Sequence, residues 1–523
     1  MWASTLKRYA AVVLFSFAAT AQADQVVLES FDQSIRLDGV LESFDGESFT
    51  VRTAVGPVTV RAADVRCTGE SCPRVAPDRT DFMISGSRNL ASTLMPSLVE
   101  AFSFELDADL TLGAGAENAD ARMTLETYDG DTLADILFVM AGSSQGLRDL
   151  ADGSASMALT TRPLRPEERV AVTRTSGNGV PSAALETVLA LDGLLIVTAQ
   201  SNPVRSLSEA RIADVFAGRI RNWSELGGPD LPITLYARPP TSGTGSVFAE
   251  LVLRPTRAVL DPSAVVLDSD AEVSDAVARD PSAIGFTSYS NERAARSLAI
   301  RGVCGIQTPA TAFTIKTEEY PLTRRLFLYR RDRPLPQPAE EFLGFVGSET
   351  AQNIIARTGF VDQGVSALTV NNMGLRFVAS LLPSETEAEL SELRGMMQDL
   401  ISAERLSITL RFDQGSSDLD TRAKRDVERL AEMIRSGRMR NKELLLIGFT
   451  DSVGRADINA QLSQSRADQA LEALRDILPQ QLMEDTAVLT LGYGEMSPLG
   501  CNETANGRRI NRRVEVWTRD VVR

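Results

Sequence analysis

The sequence contains no histidine among its 523 residues. This absence excludes the Ser-His-Asp and Cys-His nucleophile systems, histidine-based metal sites and imidazole acid–base catalysis. Catalysis would have to rest on carboxylates, lysine, tyrosine or Ser-Lys pairs, so we expect a protein that is not an enzyme. The CxxC and Cys/His spacings of zinc sites are absent as well, and we expect neither a metal nor another cofactor.

Long apolar runs are also missing beyond the N-terminus. Lys7 and Arg8 precede an apolar stretch over 10–19, and residues 21–23 form an A-x-A cleavage site, which predicts a signal peptide over 1–23. No later segment approaches the ~20 apolar residues that a membrane-spanning helix needs. We therefore expect an exported mature chain with no transmembrane segment.

Positive charge is scarce relative to negative charge. The 54 Lys and Arg residues are outnumbered by 70 Asp and Glu residues, for a net charge of −16. Nucleic-acid binding depends on clustered Lys and Arg that neutralise phosphates, so this balance argues against a nucleic-acid partner.

Cysteine is sparse, with four residues in the chain. In an exported protein these are expected to form disulfides. Cys67 and Cys72 are only five positions apart and are the predicted pair. The sequence leaves open whether Cys304 and Cys501 meet.

The length suggests about three or four domains at ~150 residues each. Alternating β-type patterns and turn signals mark the first segment after the signal peptide, which we interpret as a small accessory module. An amphipathic helix in the linker either packs on a neighbouring domain or binds a partner. The predicted divisions are a signal peptide (1–23), a β-rich module (24–77), a large α/β domain (78–365), a linker (366–405) and a C-terminal domain (406–523).

The large domain alternates apolar strands with helical patterns, which is typical of an α/β fold with mainly parallel sheets. Three strands lead into Gly/Ser-rich turns that open helices, at 85–88, 142–146 and 241–246. Such turns present unpaired backbone N–H groups and the positive end of the helix dipole, so each is a candidate anion site. Ordinary helix capping is the alternative explanation.

This domain resembles the phosphate-type (PstS-like) periplasmic substrate-binding proteins. The resemblance rests on ordered motifs that include Ser201-Asn202-Pro203, Asn222-Trp223-Ser224 and Ser242-Gly243-Thr244. It implies two α/β lobes that close around an anion. The anion-binding residues that it predicts are Ser87, Arg88, Ser143, Thr161, Arg238, Ser242, Gly243 and Thr244.

The chain departs from that family at two positions. Arg88 stands where the family has a phosphate-binding threonine, and Thr161, followed by Arg162, stands where it has the aspartate that accepts the proton of hydrogen phosphate. A carboxylate can face an anion only across a shared proton. We therefore expect an oxyanion site that no longer requires a protonated ligand. The alternative is that Arg88 and Arg162 point outward and form surface ion pairs.

A second constellation lies near the C-terminus. The apolar run 444–447 predicts a strand that ends at Asp451, and Asn459, Ser463 and Arg466 share one face of the helix that follows. An acid and a base on neighbouring elements suit a zwitterion, because the carboxylate binds an ammonium and the guanidinium binds a carboxylate. The residues alone allow equally an Asp451–Arg466 salt bridge.

This segment resembles the OmpA C-terminal peptidoglycan-binding domain, on the motifs Thr450-Asp451 to Gly454 and Asn459 to Ala467. The resemblance implies that the aspartate and the arginine bind the free amino and carboxylate groups of diaminopimelate in the stem peptide. It also implies a Gram-negative periplasm with the chain tethered to peptidoglycan on the outer-membrane side. The predicted peptidoglycan-binding residues are Asp413, Thr450, Asp451, Asn459, Arg466 and Arg512.

Together these features predict an α/β multidomain protein. It combines a two-lobed periplasmic-binding-protein fold with a C-terminal OmpA-like α+β domain of βαβαβ type and a small N-terminal β module. We expect a peptidoglycan-anchored protein that captures phosphate or a related oxyanion. The alternatives are the solute-binding component of an ABC importer, which would bind a permease; a structural envelope protein whose binding domain contacts other proteins; and an enzyme that relies on carboxylates.

Overall fold

The computed structural model describes most of the chain, and the predicted signal peptide over 1–23 lies outside the described residues. The chain forms two compact units, Met1–Asp78 and Arg79–Arg523. No helix in the described part of the chain is both long and apolar enough to cross a membrane. The described ranges are 25–30, 36–45, 48–62, 65–69, 71–73, 80–115, 119–174, 186–331, 335–373, 387–412 and 419–521.

The first unit is a five-stranded antiparallel sheet with the strand order β4-β3-β2-β1-β5. Its alternating strands place Val26, Leu28, Phe49 and Val51 on one buried face. A disulfide joins Cys67 to Cys72. The strands are β1 (Gln25–Ser30), β2 (Arg36–Phe44), β3 (Ser48–Thr53), β4 (Gly56–Arg61) and β5 (Val65–Thr68).

The second unit contains an 11-stranded sheet with the order β14-β13-β15-β11-β19-β10-β6-β9-β8-β7, in which β16 also pairs with β11. Its strands are β6 (Thr80–Gly86), β7 (Ala108–Ala114), β8 (Ala121–Thr127), β9 (Thr132–Val139), β10 (Met157–Thr160), β11 (Glu186–Thr198), β13 (Thr234–Ala237), β14 (Val265–Val266), β15 (Ala283–Ser288), β16 (Arg296–Ser297) and β19 (Thr323–Arg330). A small sheet consists of β12 (Ser206–Ser208), β17 (Ala299–Arg301) and β18 (Gln307–Thr308).

The expectation of a mainly parallel sheet is wrong. The strands β6, β9 and β10 pair in parallel, as do β13, β14 and β15, but β11 and β19 run antiparallel to each other and to their other neighbours. There are two causes: β11 and β19 pass between the two halves of the sheet instead of alternating with crossover helices, and β7, β8 and β9 follow one another in antiparallel order.

Nine helices of this unit precede residue 365 within the described ranges. They are α1 (Met95–Glu105), α2 (Ser143–Asp152), α3 (Pro166–Arg174), α4 (Glu209–Phe216), α5 (Gly243–Phe248), α6 (Asp270–Arg279), α7 (Ala312–Lys316), α8 (Gln337–Val346) and α9 (Glu349–Arg357). A π-helical turn, Leu90–Leu94, precedes α1, and another, Ala249–Leu253, follows α5.

Two separate hydrophobic cores define two lobes. The first lobe packs α1, α8 and α9 on β6, β8 and β9, and the second packs α4, α5 and α6 on β11, β13 and β15. On β11 the core changes between Ala190 and Leu191, and on β19 it changes between Leu322, just before the strand, and Leu326. The two strands therefore cross the boundary between the lobes at the same level.

The C-terminal domain is a five-stranded sheet with the order β20-β21-β24-β22-β23, in which β22 and β23 are parallel. The predicted βαβαβ order is followed by one more helix and by β24, which returns to the middle of the sheet. The elements are β20 (Ala367–Thr369), α10 (Glu387–Leu400), β21 (Glu404–Leu410), α11 (Thr421–Arg435), β22 (Lys442–Phe449), α12 (Ala456–Ile477), α13 (Gln480–Glu484), β23 (Ala487–Gly492), α14 (Ala505–Asn511) and β24 (Arg513–Asp520).

The helix of the predicted linker packs on this sheet. Leu393, Met396 and Leu400 of α10 are buried against Trp517 and the apolar face of β22. Ile401, the apolar residue directly after α10, is 72% exposed. The intramolecular alternative for the amphipathic helix therefore describes α10.

A buried cluster of charges joins the C-terminal domain to the second lobe. Glu318 is 4% exposed and has a φ of +54°, a conformation that L-residues rarely adopt. Burial by itself would raise the pKa of Glu318, but the guanidinium groups of Arg325 and Arg422 hold that pKa well below its ordinary value. The ion pairs of Glu318 are with Arg325 (2.5 Å), Arg422 (3.0 Å), Arg411 (3.5 Å) and Arg509 (3.6 Å).

A disulfide joins the same two parts of the chain. Cys304, which follows β17 in the second lobe, is bonded to Cys501, and the Cys304 N–H also donates to Cys501 Sγ over 3.1 Å. Cys501 is 5% exposed. The pairing that the sequence left open is therefore a bond between domains.

Candidate functional site

Loops of both lobes meet at Thr161, the residue that follows β10. Its backbone N–H donates to Ser143 Oγ at the start of α2 over 3.2 Å. A Cβ placed on Gly243, the first residue of α5, would lie 2.8 Å from Thr161 Oγ1. Thr161 is 3% exposed, and its hydroxyl has no hydrogen-bond partner among the described residues. A buried hydroxyl without a partner costs free energy, so it marks a position where a ligand would be stabilising.

Ser87 lies at the same edge of the sheet. Its N–H donates to Leu159 O, two residues before Thr161, over 2.9 Å, and the side chain is buried. The preceding Gly86 has a φ of +143°, and a Cβ there would lie 2.0 Å from Leu159 O. Only glycine therefore allows this turn to approach β10 so closely.

The second lobe contributes the first turn of α5, whose backbone N–H groups have no acceptor within the helix. Ser242 caps this helix: its Oγ accepts from Gly245 N over 3.0 Å and donates to Pro239 O over 2.7 Å. The N–H groups of Gly243 and Thr244 lie in the first turn, where the helix itself supplies no acceptor. Gly243 faces Thr161 across the boundary between the lobes, so these donors lie beside the unpartnered hydroxyl.

Arg238 is oriented toward this turn by a carboxylate that the sequence analysis missed. Its Nε donates to Asp270 Oδ1 and its Nη1 to Leu267 O, each over 2.7 Å. Thr244 Oγ1 donates to the other carboxylate oxygen, Asp270 Oδ2, over 2.9 Å. Asp270 thus fixes Arg238 and Thr244 together. The local signal for it was the capping box that starts α6 at Ser269.

Of the two additional arginines, Arg162 pairs with a carboxylate of its own lobe. Arg162 is 6% exposed, and its Nη1 and Nη2 donate to the carboxylate of Glu168 over 2.7 and 2.6 Å. This hydrogen-bonded pair raises the pKa of Arg162. Arg162 is therefore paired within the first lobe, in a buried ion pair rather than the surface ion pair given as the alternative. Arg88 is exposed, and no side-chain hydrogen bond or ion pair of Arg88 is described.

The C-terminal constellation forms around Asp451, two residues after β22. Its Oδ1 accepts from Val453 N over 3.0 Å, which closes the loop locally. Its Oδ2 accepts from Arg512 Nη1 over 2.7 Å. The salt bridge allowed by the sequence is therefore present with a different partner, because Asp451 pairs with Arg512 and not with Arg466.

Arg466 has no carboxylate partner in the part of the chain that the structure describes. Its guanidinium lies 5.6 Å from the ring centroid of Phe412, and its Nη1 is 3.5 Å from Phe449 O. Burial and the like charge of Arg512 lower the pKa of Arg466, and Asp451 opposes this shift. A half-buried cation without an anion is a favourable binding position for a ligand carboxylate.

The remaining predicted residues of this site have different settings. Asn459 is 3% exposed and its Nδ2 donates to Glu495 Oε2 over 3.2 Å. The Thr450 N–H donates to Gly494 O over 2.7 Å, and its buried hydroxyl has no described partner. Asp413 lies outside the described residues.

Asn502 is a neighbour that the sequence analysis did not identify. Its Oδ1 accepts from Ser452 N over 3.3 Å and from Asn511 Nδ2 over 2.8 Å. Asn502 directly follows Cys501, so the Asp451 loop is supported one residue from the disulfide to the second lobe. Its role depends on contacts far apart in sequence, and no local motif indicates it.

Comparison with known proteins agrees with this architecture. The family model described as the PBP superfamily domain matches residues 78–350, a little over half of the chain. The model of the OmpA family matches residues 411–512. Both resemblances identified from the sequence motifs are thereby confirmed.

Similar proteins include the phosphate-binding protein PstS of Borreliella burgdorferi, which is 27% identical over 227 residues, 42% of this chain and 77% of that protein. Outer membrane porin F of Pseudomonas aeruginosa is 36% identical over 112 residues, 21% of this chain and 30% of that protein. Among solved structures, an ABC-type phosphate transport receptor from Vibrio cholerae matches 54% of this chain and 99% of that chain, with 26% identity and a TM-score of 0.42.

The two-lobed domain and the sheet that follows it thus have separate relatives. The chain belongs to the PBP superfamily and carries a C-terminal domain of the OmpA family.

Proposed function

We propose that this protein binds phosphate or a related oxyanion between its two lobes, without a reaction of its own, while its C-terminal domain holds it to peptidoglycan. One observation carries the first part. The buried, unpartnered hydroxyl of Thr161 in one lobe faces the first turn of α5 in the other, where Gly243 and Thr244 offer backbone donors. Membership of the PBP superfamily and the phosphate-binding relatives support the choice of ligand.

The proposed ligand is an oxyanion that need not be protonated. Both oxygens of Asp270 already accept hydrogen bonds, from Arg238 and from Thr244, so this carboxylate is poorly placed to accept a ligand proton. The hydroxyl of Thr161 can donate to a fully deprotonated oxygen. We therefore expect sulfate as well as phosphate to bind, and phosphate to bind better as the dianion.

Calorimetric titration of the purified full chain with phosphate, sulfate and an organic phosphate tests this proposal. Thr161→Val removes the facing hydroxyl at nearly constant volume and should weaken binding about tenfold, the worth of one hydrogen bond to a charged group. Arg238→Ala should weaken it further, since it also releases Asp270. Arg148→Ala removes an exposed charge from α2, the helix that begins with Ser143, and serves as the matched control.

The outcomes separate the candidate functions. Tight binding of phosphate with rejection of sulfate would contradict the proposed selectivity. Absence of binding to all three anions, together with a silent Arg238→Ala, would contradict anion capture and favour a structural envelope role.

The proposed wall ligand is the zwitterionic end of a diaminopimelate-containing stem peptide. Arg466 lacks a described carboxylate partner and would bind the ligand carboxylate. Asp451 would bind the ammonium, which would replace the guanidinium of Arg512 on Oδ2. This exchange places the two ligand charges on two neighbouring elements, the Asp451 loop and α12.

Pull-down on purified diaminopimelate-type peptidoglycan tests whether Asp451 and Arg466 bind the stem peptide. Asp451→Ala and Arg466→Ala should each abolish co-sedimentation. Arg475→Ala removes a cation from the far end of the same helix, where it pairs with Glu472, and should have no effect. Full co-sedimentation of both site variants would refute the assignment.

The same proposal sets the location. An A-x-A site at 21–23 and an OmpA-family domain support export to the periplasm of a Gram-negative envelope. Determination of the N-terminal residue of the mature protein, expected near Asp24, would check the predicted cleavage.

A further inference from the structure

Asp192 and Arg324 form a buried ion pair where the two lobes join. They are paired opposite each other on β11 and β19, at the level where the hydrophobic core changes from one lobe to the other. Arg324 Nε and Nη2 both donate to Asp192 Oδ2, over 3.0 and 2.5 Å. Asp192 is 0% exposed, and its Oδ1 accepts from Tyr289 N over 2.9 Å.

The Asp192–Arg324 pair is connected to the proposed anion site through the hydroxyl of Thr244. Arg324 Nη2 also donates to Thr244 Oγ1 over 3.3 Å, and Thr244 Oγ1 in turn donates to Asp270 Oδ2. A guanidinium can only donate and an ionised carboxylate can only accept, so the direction of this chain is determined. It runs from Arg324 through Thr244 to Asp270, which also holds Arg238.

Stability does not explain this pair well. A buried ion pair is often no more stabilising than apolar residues of the same volume. Here Arg324 Nη1 is also buried without a partner among the described residues, which adds a desolvation cost. The arrangement is better explained by the geometry that it imposes, because the arginine fork fixes Thr244 relative to both crossing strands.

We propose that Arg324 is a positioning residue of the anion site. Through the Thr244 hydroxyl, the Asp192–Arg324 pair fixes the position of the first turn of α5 and of the Asp270–Arg238 pair relative to β11 and β19, the two strands that join the lobes. This inference rests on the proposed anion capture and deepens it. Arg324 lies between Leu322 of the second-lobe core and Leu326 of the first-lobe core, so the guanidinium that fixes Thr244 sits where β19 passes from one lobe to the other.

The experiment is a double-mutant cycle on phosphate affinity, measured by calorimetry on the full chain. Arg324→Lys keeps the charge opposite Asp192 but loses the planar fork that reaches Thr244 as well. It should weaken phosphate binding about tenfold. In a Thr244→Val background, where the hydroxyl is gone, the same substitution should change affinity by less than about twofold, because the connection is already broken.

Thermal unfolding of each variant separates positioning from stability. Arg296→Lys is the control. Arg296 lies in the second lobe and donates to Asn202 O and Val204 O, away from the proposed anion site. It should lower the unfolding midpoint and leave the affinity unchanged. If Arg324→Lys fails to fold, a comparison of Thr244→Ser with Thr244→Val decides: valine, which lacks the hydroxyl, should bind phosphate about tenfold more weakly than serine, which keeps it.

The outcomes are distinct. Wild-type affinity in Arg324→Lys, an equal loss in both Thr244 backgrounds, or equal affinities of the serine and valine variants would overturn the positioning role alone. A wild-type chain that binds neither phosphate nor sulfate would overturn the proposed function, and this inference with it.

Discussion

The disulfide Cys304–Cys501 should hold the C-terminal domain on the second lobe. The perturbation is the double substitution Cys304→Ser with Cys501→Ser. These cysteines are separated by 197 positions, whereas Cys67 and Cys72 are separated by 5. Removal of Cys67–Cys72 by the same substitutions is therefore an internal comparison with the same chemistry and a much shorter loop.

The separations give the expected magnitudes. In the chain-entropy description, a closed loop of this length stabilises the folded state by about 5 kcal/mol, and the short loop by about 2 kcal/mol. The Glu318 cluster remains in the double variant and keeps the domains in contact. The loss should therefore appear as lower resistance to unfolding of the C-terminal domain, not as its release under native conditions.

Two buried tryptophans allow each part to be followed separately. Trp223 lies in the core of the second lobe and Trp517 in that of the C-terminal domain, and both are 0% exposed. The predicted cleavage removes Trp2, so the fluorescence of Trp223→Phe and Trp517→Phe variants of the mature chain in urea reports one domain each. In the oxidised protein the two transitions should coincide. Without the interdomain disulfide, the Trp517 transition should move to lower urea by about 1 M or more.

The result that would refute this reasoning is specific. If the Trp517 transition is unchanged without Cys304–Cys501, the disulfide does not restrict the unfolded chain as its separation requires. A loss of about 5 kcal/mol in the stability of the first unit on removal of Cys67–Cys72, followed by circular dichroism because Trp223 and Trp517 lie in the second unit, would likewise contradict the dependence on loop length.

Other consequences of the structure can be tested alongside. Glu318→Gln leaves several guanidinium groups without their shared carboxylate and should destabilise the second unit by about 3–5 kcal/mol, measured by urea unfolding; Glu340→Gln, on the exterior of the first lobe, is the control. The folded-state pKa of Glu318 lies well below its ordinary value of 4.5. Its contribution to the free energy of unfolding is therefore fully present above that pH and is lost as the pH falls toward the depressed pKa. An acid titration in which Glu318→Gln loses stability as steeply as wild type would contradict this contribution. Arg512→Ala frees Asp451 Oδ2 and removes the like charge beside Arg466, so peptidoglycan binding should be retained or increased. Abolished co-sedimentation would instead show that Arg512 itself binds the stem peptide.

The sequence motifs predicted the two domain families and the strand–loop–helix units at 85–88, 142–146, 241–246 and around Asp451. These features are local, since apolar periodicity and turn residues act over a few positions. The same reasoning placed the candidate anion loops at Ser87, Ser143 and Ser242, because each lies where a strand gives way to a helix. It expected parallel pairing from this alternation and missed that β11 and β19 are shared by both lobes.

What the sequence could not decide is which charges meet. The sequence left Arg162 either at the anion site or in a surface ion pair, yet it forms a buried pair with Glu168. It allowed equally a salt bridge of Asp451 with Arg466 or a ligand between them, yet Asp451 pairs with Arg512. These partners follow from side-chain positions across folded elements, and several cations compete for each carboxylate at similar spacing.

The sequence by itself determined the kind of protein: a histidine-free chain with a two-lobed binding domain and an OmpA-type domain, because family motifs and local periodicity are written in consecutive residues. Only the tertiary structure decided how these parts act together. The Cys304–Cys501 bond, the cluster around Glu318 and the link from Arg324 to Thr244 join residues about 80 to 200 positions apart. Such contacts depend on packing and desolvation in three dimensions, which no local pattern records.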